Sequence, residues 1–446
     1  MRILWVKMGG LWPATTGGRV RSLQIVSELA RRHAVSVLTT HGPGDDPEGL
    51  ERQLPSSARV VSIPYHVPKR GSAAFPLAVA RSWFSRYPVD LWKWQVPPLR
   101  EHVHALIDSR TVDLCVADFL FAAANVPAGG RTPIVLFEHN VEYLIWQRLC
   151  ALEPPGWRRA LLEVEWRKLR AREADACRNA DLTVAVSDED RRRLAYLVPE
   201  ARIRAIPTGV DTGYFCPNGY PERANRIVFS GSMDWHPNED AVCYFAEAIL
   251  PRIRADIPDA SLTVVGRNPT ARLREIAARS GIDVTGTVDD VRPWIAEGAV
   301  YVVPLRAGSG TRLKIFEALA MAKPVVSTTV GAEGLALEAG RHFLPADDPA
   351  AFADAVVQLL RDPERRRALG CAGRALVEAH YSWSIVARAF ERRCEEVVAQ
   401  HAEARSGVQV AADGRPDLSR AGSDRPRGAR LLAGERPAVG WFHHHS

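Results

Sequence analysis

The chain alternates short apolar runs with amphipathic segments, and it does so in two successive rounds, which limits it to a layered, mostly parallel α/β architecture. Ile3–Val6, Val35–Thr39, Val60–Ile63, Leu114–Ala117, Ile134–Phe137, Leu182–Val186 and Ile203–Ile206 each read as a strand buried on both faces. The rhythm pauses in a Pro/Gly-rich stretch between Pro207 and Pro221, which reads as a linker. It then restarts with strands at Ile227–Ser230, Leu262–Val265, Val284–Thr285, Tyr301–Val303 and Val325–Ser327. Helices are expected between them at Glu239–Arg254, Ala271–Arg279, Val291–Glu297 and Arg312–Met321, and afterwards at Ala350–Leu360, Pro363–Glu378 and Ser384–Glu403. The fold class is therefore α/β, with two Rossmann-like doubly wound parallel-sheet domains facing a cleft. Expected boundaries are 1–207 and 208–382, with a helix over 383–403 packing back on the first domain and a disordered tail over 406–446.

With 46% hydrophobic and 25% charged residues in 446, the composition suits packed cores. The net charge of +6 is spread over a long chain, which gives no support to a nucleic-acid partner. The opening apolar run is too short for a signal-peptide core, and no run approaches a membrane span. Seven scattered cysteines without a C-x-x-C pair read as buried thiols in a reducing compartment. The expectation is a cytoplasmic protein, able to lie on the inner face of the membrane.

Two segments carry the chemistry. Gly17 and Gly18 fall where the first strand meets the first helix, at a helix N-terminus that favours an anion. A tight turn explains those glycines equally well, and the loop is neither a dinucleotide fingerprint nor a Walker sequence. More informative is Gly308-Ser309-Gly310-Thr311-Arg312-Leu313-Lys314, which runs from a strand into a helix bearing Glu317. Cations in a helix's first turn oppose its dipole, so Arg312 and Lys314 point to a bound anion, while Glu317 can accept hydrogen bonds from sugar hydroxyls. A solvated face with an i, i+3 Lys314–Glu317 pair is the other reading of this spacing.

At this point the chain resembles a retaining glycosyltransferase of the GT-B fold, in family 4 (glycosyl transferases group 1), particularly bacterial exopolysaccharide-type sugar transferases. The resemblance extends over about residues 1–400. It rests on the Gly17-Gly18 loop, Glu138-His-Asn-Val-Glu142, Ser230-Gly-Ser-Met-Asp-Trp-His-Pro-Asn238, Val264-Val-Gly266, Thr285-Gly-Thr-Val-Asp-Asp290 and Gly310-Thr-Arg-Leu-Lys-Ile-Phe-Glu-Ala318. It implies a nucleotide-diphosphate sugar held by Gly17, Gly18, Gly231, Asp289, Gly308, Ser309, Gly310, Thr311, Arg312, Lys314 and Glu317. It also implies a glycan or lipid-linked acceptor on the N-terminal domain, with no cofactor beyond the donor. Glu317 matches the second glutamate of the family's E-x7-E signature, expected on the donor ribose. Ser309 stands where the first glutamate would be. The arginine and lysine that many relatives place near Gly231 are missing, and Arg312 and Lys314 are expected to replace them.

Glu138, His139 and Asn140 emerge at the carboxyl end of a strand, facing the same cleft. The resemblance implies that His139 positions the transferring sugar or the acceptor, with Glu142 as helper and no dedicated protein base. Asp188-Glu-Asp190 resembles a metal-binding D-x-D, but after Ser187 it reads as a helix cap. The expected chemistry is therefore metal-independent. Lys69 to His104 combines six Lys or Arg with two carboxylates and interleaves Phe75, Trp83, Phe84, Tyr87, Trp92 and Trp94. That suits an anionic membrane surface. A core of aromatics with a solvated basic rim stands beside that reading. The alternatives to sugar transfer are a non-catalytic sugar-nucleotide-binding partner and a GT-B-fold nucleotide-sugar epimerase.

Overall fold

The computed structural model describes residues 1–68, 72, 74–217, 219–307 and 313–413, with the side chains of residues 152 and 404–413 left aside. The first sheet has seven strands: β1 (Arg2–Lys7), β2 (Ala34–His41), β3 (Ala58–Pro64), β4 (Leu114–Asp118), β5 (Ile134–Phe137), β6 (Leu182–Ala185) and β7 (Ile203–Ala205). Their spatial order is β3-β2-β1-β4-β5-β6-β7, and every neighbouring pair is parallel. The second sheet holds β8 (Arg226–Ser230), β9 (Ser261–Val265), β10 (Asp283–Val284), β11 (Val300–Val303), β12 (Val325–Ser327) and β13 (Leu344–Pro345), ordered β10-β9-β8-β11-β12-β13 and again all parallel. The strands read from sequence are thus present within a residue or two. The short β13 lacks the apolar run that would mark it.

This strand order fixes where a ligand binds. In each sheet the winding direction reverses once, between β1 and β4 and between β8 and β11. A crevice opens at the carboxyl ends of the strands at such a switch point. The loops there are 8–16 and 119 in the first sheet, and 231–235 and 304–307 in the second. Of the sequence motifs, 231–235 lies in one of these loops, Gly17 and Gly18 begin the helix that follows 8–16, and Glu138–Glu142 follows β5, the next strand over.

The described helix Trp383–Asp413 runs past the expected end at 403 and into the stretch expected to be a tail, while residues 414–446 lie outside the described residues. Alanine, valine and glutamine at 408–412 continue a helical run without a breaker. Its face Trp383, Val386, Ala387, Phe390 and Cys394 is buried in the core of the first sheet. Phe390 lies 5.8 Å from Trp5 and 5.0 Å from Phe137, ring centre to ring centre. The expected single helix Glu239–Arg254 is instead His236–Tyr244 and Leu250–Asp256 joined by one wide π turn at Phe245–Ile249. Pro251 explains the change: it has no N–H to donate back, and its ring clashes with the carbonyl four residues earlier, so the turn before it widens.

Candidate active site

Helix α1 (Gly17–Ala30) is capped by Thr16, whose hydroxyl accepts from the Arg19 N–H. Its two leading glycines permit close approach on two sides. A Cβ on Gly17 would lie 3.2 Å from Leu313 Cδ1, and one on Gly18 would lie 3.7 Å from His139 Nδ1. The N-terminus of α1 is therefore wedged between β5's outgoing loop and the start of the helix Leu313–Ala320 in the second half.

His139 is 5% exposed. Its Nε2 lies 2.8 Å from Asp118 Oδ1, and its ring stacks on Phe119 at 4.6 Å. Asp118 ends β4 and is fully buried, and it also accepts from Trp5 Nε1 at 2.8 Å and Lys7 Nζ at 3.0 Å. Burial alone would raise its pKa. The Lys7 charge and the hydrogen bond from His139 outweigh that and hold it well below the usual carboxylate range. Burial, aided by Lys7 and Arg21, pushes His139 down to about 3 against the opposing pull of Asp118. The imidazole is therefore neutral. With its Nε2–H donating to Asp118, Nδ1 is left as an acceptor, and that buried atom has no hydrogen-bond partner among the described residues.

Behind this ring sits a buried carboxyl cluster. Glu173 accepts from the backbone N–H groups of Glu142 and Tyr143, capping the helix Glu142–Leu152, and burial raises it to about 8. Burial raises Glu142 to about 7, with Asn140 donating to it at 3.2 Å. Glu138 is pushed well up by burial and by the charges of Glu173, Glu142 and Asp118. Burial thus favours the protonated form in all three. Glu142, expected as a helper in the cleft, is 8% exposed and faces this cluster.

On the opposite side, Lys314 Nζ donates to Asn238 Oδ1 at 2.7 Å and lies 4.1 Å from the Phe229 ring centre. A Cβ on Gly231 would come within 2.7 Å of that ammonium and 2.6 Å of Asn238 Nδ2, so glycine is what lets both side chains sit over the β8 loop. Glu317, one turn beyond Lys314, is half-buried, and burial raises it to about 7 against the Lys314 charge. Arg267, after β9, donates from Nε to Ser232 Oγ at 2.8 Å and brings a second cation beside Gly231. Asp289 is exposed on the loop that follows β10. Gly308, Ser309, Gly310, Thr311 and Arg312 lie outside the described residues. Ser187 Oγ accepts from the Asp190 N–H at 3.1 Å, so Asp188-Glu-Asp190 begins a capped helix.

The structure thus brings Gly17, Gly18 and His139 together at the strand ends of the first sheet and Gly231 and Lys314 at those of the second, with Glu317 one turn further along the Lys314 helix. Asp118, Asn238 and Arg267 were not singled out from sequence. A lone acid at the end of an otherwise apolar strand was the available sign for Asp118. For Asn238 and Arg267 the available signs were that Asn238 closes the 230–238 segment and Arg267 directly follows the 264–266 segment.

A large cavity of about 1190 Å³ opens beside His139 within the first domain. Lys7, Gly9, Thr16, Gly18 and Phe119 line it near the strand ends, and Tyr65, Phe75, Trp94, Phe121, Trp146 and Leu149 line it elsewhere. The basic, Trp-rich stretch is accordingly divided. Phe75, Lys93 and Trp94 face the cavity, whereas Trp83 and Phe84 are 54% and 95% exposed. Lys69 and Arg70 lie outside the described residues. No described helix is long and apolar enough to cross a membrane.

A topology with two facing parallel sheets and a donor-type loop opposite a cavity defines the GT-B class of sugar-transferring folds. Family models agree: residues 15–214 match Glycosyltransferase Family 4, and residues 224–362 match Glycosyl transferases group 1. The chain belongs to this glycosyltransferase family. It is 34% identical over 238 residues to the phosphatidyl-myo-inositol mannosyltransferase of Mycobacterium leprae, a match covering 51% of this chain and 61% of the relative. It is 26% identical over 208 residues to a GDP-mannose-dependent monoacylated alpha-(1-6)-phosphatidylinositol monomannoside mannosyltransferase of Corynebacterium glutamicum, covering 41% and 53%. The chain thus spans little more than half the length of these curated relatives. Among solved structures, sucrose-phosphate synthase from Thermosynechococcus elongatus superposes with a TM-score of 0.66 at 17% identity, over 90% of this chain and all of that one. WaaG, a glycosyltransferase involved in lipopolysaccharide biosynthesis, gives 0.59 at 17%, over 87% and 98%. At these identities the structural likeness speaks for the fold alone.

Proposed function

We propose that the chain transfers a sugar, with retention of configuration, from a nucleotide-diphosphate sugar to a lipid-linked or glycan acceptor in cell-surface glycan synthesis, without a metal ion. The observation that carries this reading is the meeting of the two switch points. Gly17 abuts Leu313 across the cleft, with His139 against the neighbouring Gly18 and Lys314 next along the chain from Leu313. Lys314 and Arg267 beside Gly231 suit a diphosphate, and Glu317 suits a ribose diol. His139 Nδ1 is an acceptor for a hydroxyl of the transferring sugar or of the acceptor. The acceptor hydroxyl bonds to the anomeric carbon as the bond to the phosphate oxygen breaks, and its proton passes to that departing oxygen on the same face. Positioning and stabilisation of the diphosphate then supply the rate enhancement.

The chain works as a peripheral protein on the inner face of the membrane. In support, Leu77, Trp83, Phe84, Leu149 and Trp157 are exposed, and Leu149 also lines the cavity. Arg81, Arg86, Arg158 and Arg159 are exposed in the same segments. The lipid acceptors in the names of the curated relatives agree with this placement. The test is acceptor-dependent release of UDP or GDP from a panel of nucleotide sugars, supplied with extracted membrane lipids, with and without EDTA. Release that needs the lipid and survives EDTA is expected. Donor binding without turnover, or isomerised donor without acceptor product, overturns the reading. Flotation with anionic vesicles but not with neutral ones is the expected membrane result, and equal recovery in both refutes the electrostatic part.

A further inference from the structure

We propose, building on the transferase reading, that the cavity accepts a neutral glycan, so that the acceptor is an already glycosylated chain and not a bare anionic lipid headgroup. Four aromatic rings form a continuous series ending at the His139 imidazole. Tyr65 lies 6.1 Å from Trp94, Trp94 lies 6.3 Å from Phe121, Phe121 stacks on Phe119 at 5.7 Å, and Phe119 stacks on His139 at 4.6 Å. All four rings are only half-buried and line the cavity. The negative face of an aromatic ring attracts the slightly positive C–H face of a pyranose. Tyr65, Trp94 and Phe121 are the rings that can offer such faces, while Phe119, stacked on Phe121 and on His139, supports the series from behind.

The ladder is held in place before any ligand arrives. Tyr65 donates from its hydroxyl to the Lys93 carbonyl at 2.6 Å, and Asn125 Nδ2 donates to the Trp94 carbonyl at 2.8 Å. A Cβ on Gly9 would sit 3.1 Å from Trp94 Cη2, so the backbone packs directly on that ring. Such fixed rings lose little freedom on binding.

Charge in the cavity selects against an anion. Each of its described lysines and arginines already carries a carboxylate: Lys7 with Asp118 at 3.0 Å, Arg19 with Asp45 at 2.7 Å, and Lys93 with Asp90. A phosphate there would meet the charge of Asp45 or Asp90 as well as that of the cation, and gains little net attraction. Sugar hydroxyls can instead hydrogen-bond to the paired groups without breaking them.

Saturation-transfer NMR on the full chain, with neutral di- and trisaccharides of glucose, galactose, mannose and rhamnose and with myo-inositol 1-phosphate as probes, tests this. At least one neutral oligosaccharide is expected to bind and the inositol phosphate to give no transfer. Trp94→Ala is expected to weaken the oligosaccharide about tenfold or more. Phe121→Leu, which keeps apolar volume but loses the ring face, should weaken it in the same direction. Both variants should keep the wild-type thermal response to UDP and GDP. Preferential binding of the inositol phosphate overturns the inference, as does absence of oligosaccharide binding in a chain that still responds to a nucleoside diphosphate. If no nucleoside diphosphate is bound at all, the transferase reading itself fails.

Discussion

Replacing Gly231 by alanine tests the donor side through a contact the residue does not itself make. The added methyl would stand 2.7 Å from Lys314 Nζ and 2.6 Å from Asn238 Nδ2, whereas ordinary contact begins at 3.4 Å. The ammonium must then retreat by roughly 0.7 Å, which breaks its 2.7 Å bond to Asn238 and withdraws it from a bound diphosphate. A hydrogen bond to a charged group contributes about 1.5–3 kcal/mol. The dissociation constant for the nucleoside diphosphate should therefore rise by about 10- to 150-fold. Isothermal titration calorimetry on Gly231→Ala, Lys314→Met and the double variant reads this directly. Because both single changes act on one ammonium, the double variant should bind no worse than the weaker single one. Additive losses, or wild-type affinity in Lys314→Met, would refute the placement of Lys314 on the phosphates.

Stability should fall as the pH rises through neutrality. Glu142 and Glu173 are raised in the folded chain to about 7 and about 8, against about 4.3 when unfolded. The folded state therefore binds more protons between these limits. Their contribution is whole below about pH 4.3 and is lost as the pH passes through about 7 and 8. Thermal melts from pH 5 to 9 should show this decline. Glu173→Gln, which removes the titrating proton and keeps an acceptor oxygen for one of the two N–H groups of Glu142 and Tyr143, should flatten it, and an unchanged slope would count against the cluster. Phe390→Ala should cost about 3–5 kcal/mol in urea unfolding, since the ring is fully buried against Trp5 and Phe137. A loss below about 1 kcal/mol would mean that the helix Trp383–Asp413 contributes little to that core.

Most strands were legible because each is a short run rich in Val, Ile and Leu between turn or helical segments, the pattern that strands of a parallel sheet favour. β13 escaped notice because two residues, Leu344 and Pro345, carry no pattern. Gly17, Gly18, His139 and Lys314 were legible because the site lies at strand ends and helix starts, where local sequence reports local geometry. Asp118 was not, since its role is set by Trp5, Lys7 and His139, which the fold gathers from β1 and the β5 loop. The Trp-rich stretch could not be divided from sequence. Trp83 and Trp94 differ only in what packs beside them, and tertiary contacts alone turn Trp94 into the cavity.

The central claim is sugar transfer across the cleft, and mass spectrometry of extracted lipid after incubation with a donor panel tests it most directly. Wild-type protein should shift an acceptor lipid by one sugar residue while releasing an equal amount of nucleoside diphosphate, and His139→Ala and Lys314→Met should each suppress that shift. Consumption of donor with no glycosylated lipid, or full product formation by both variants, would contradict it.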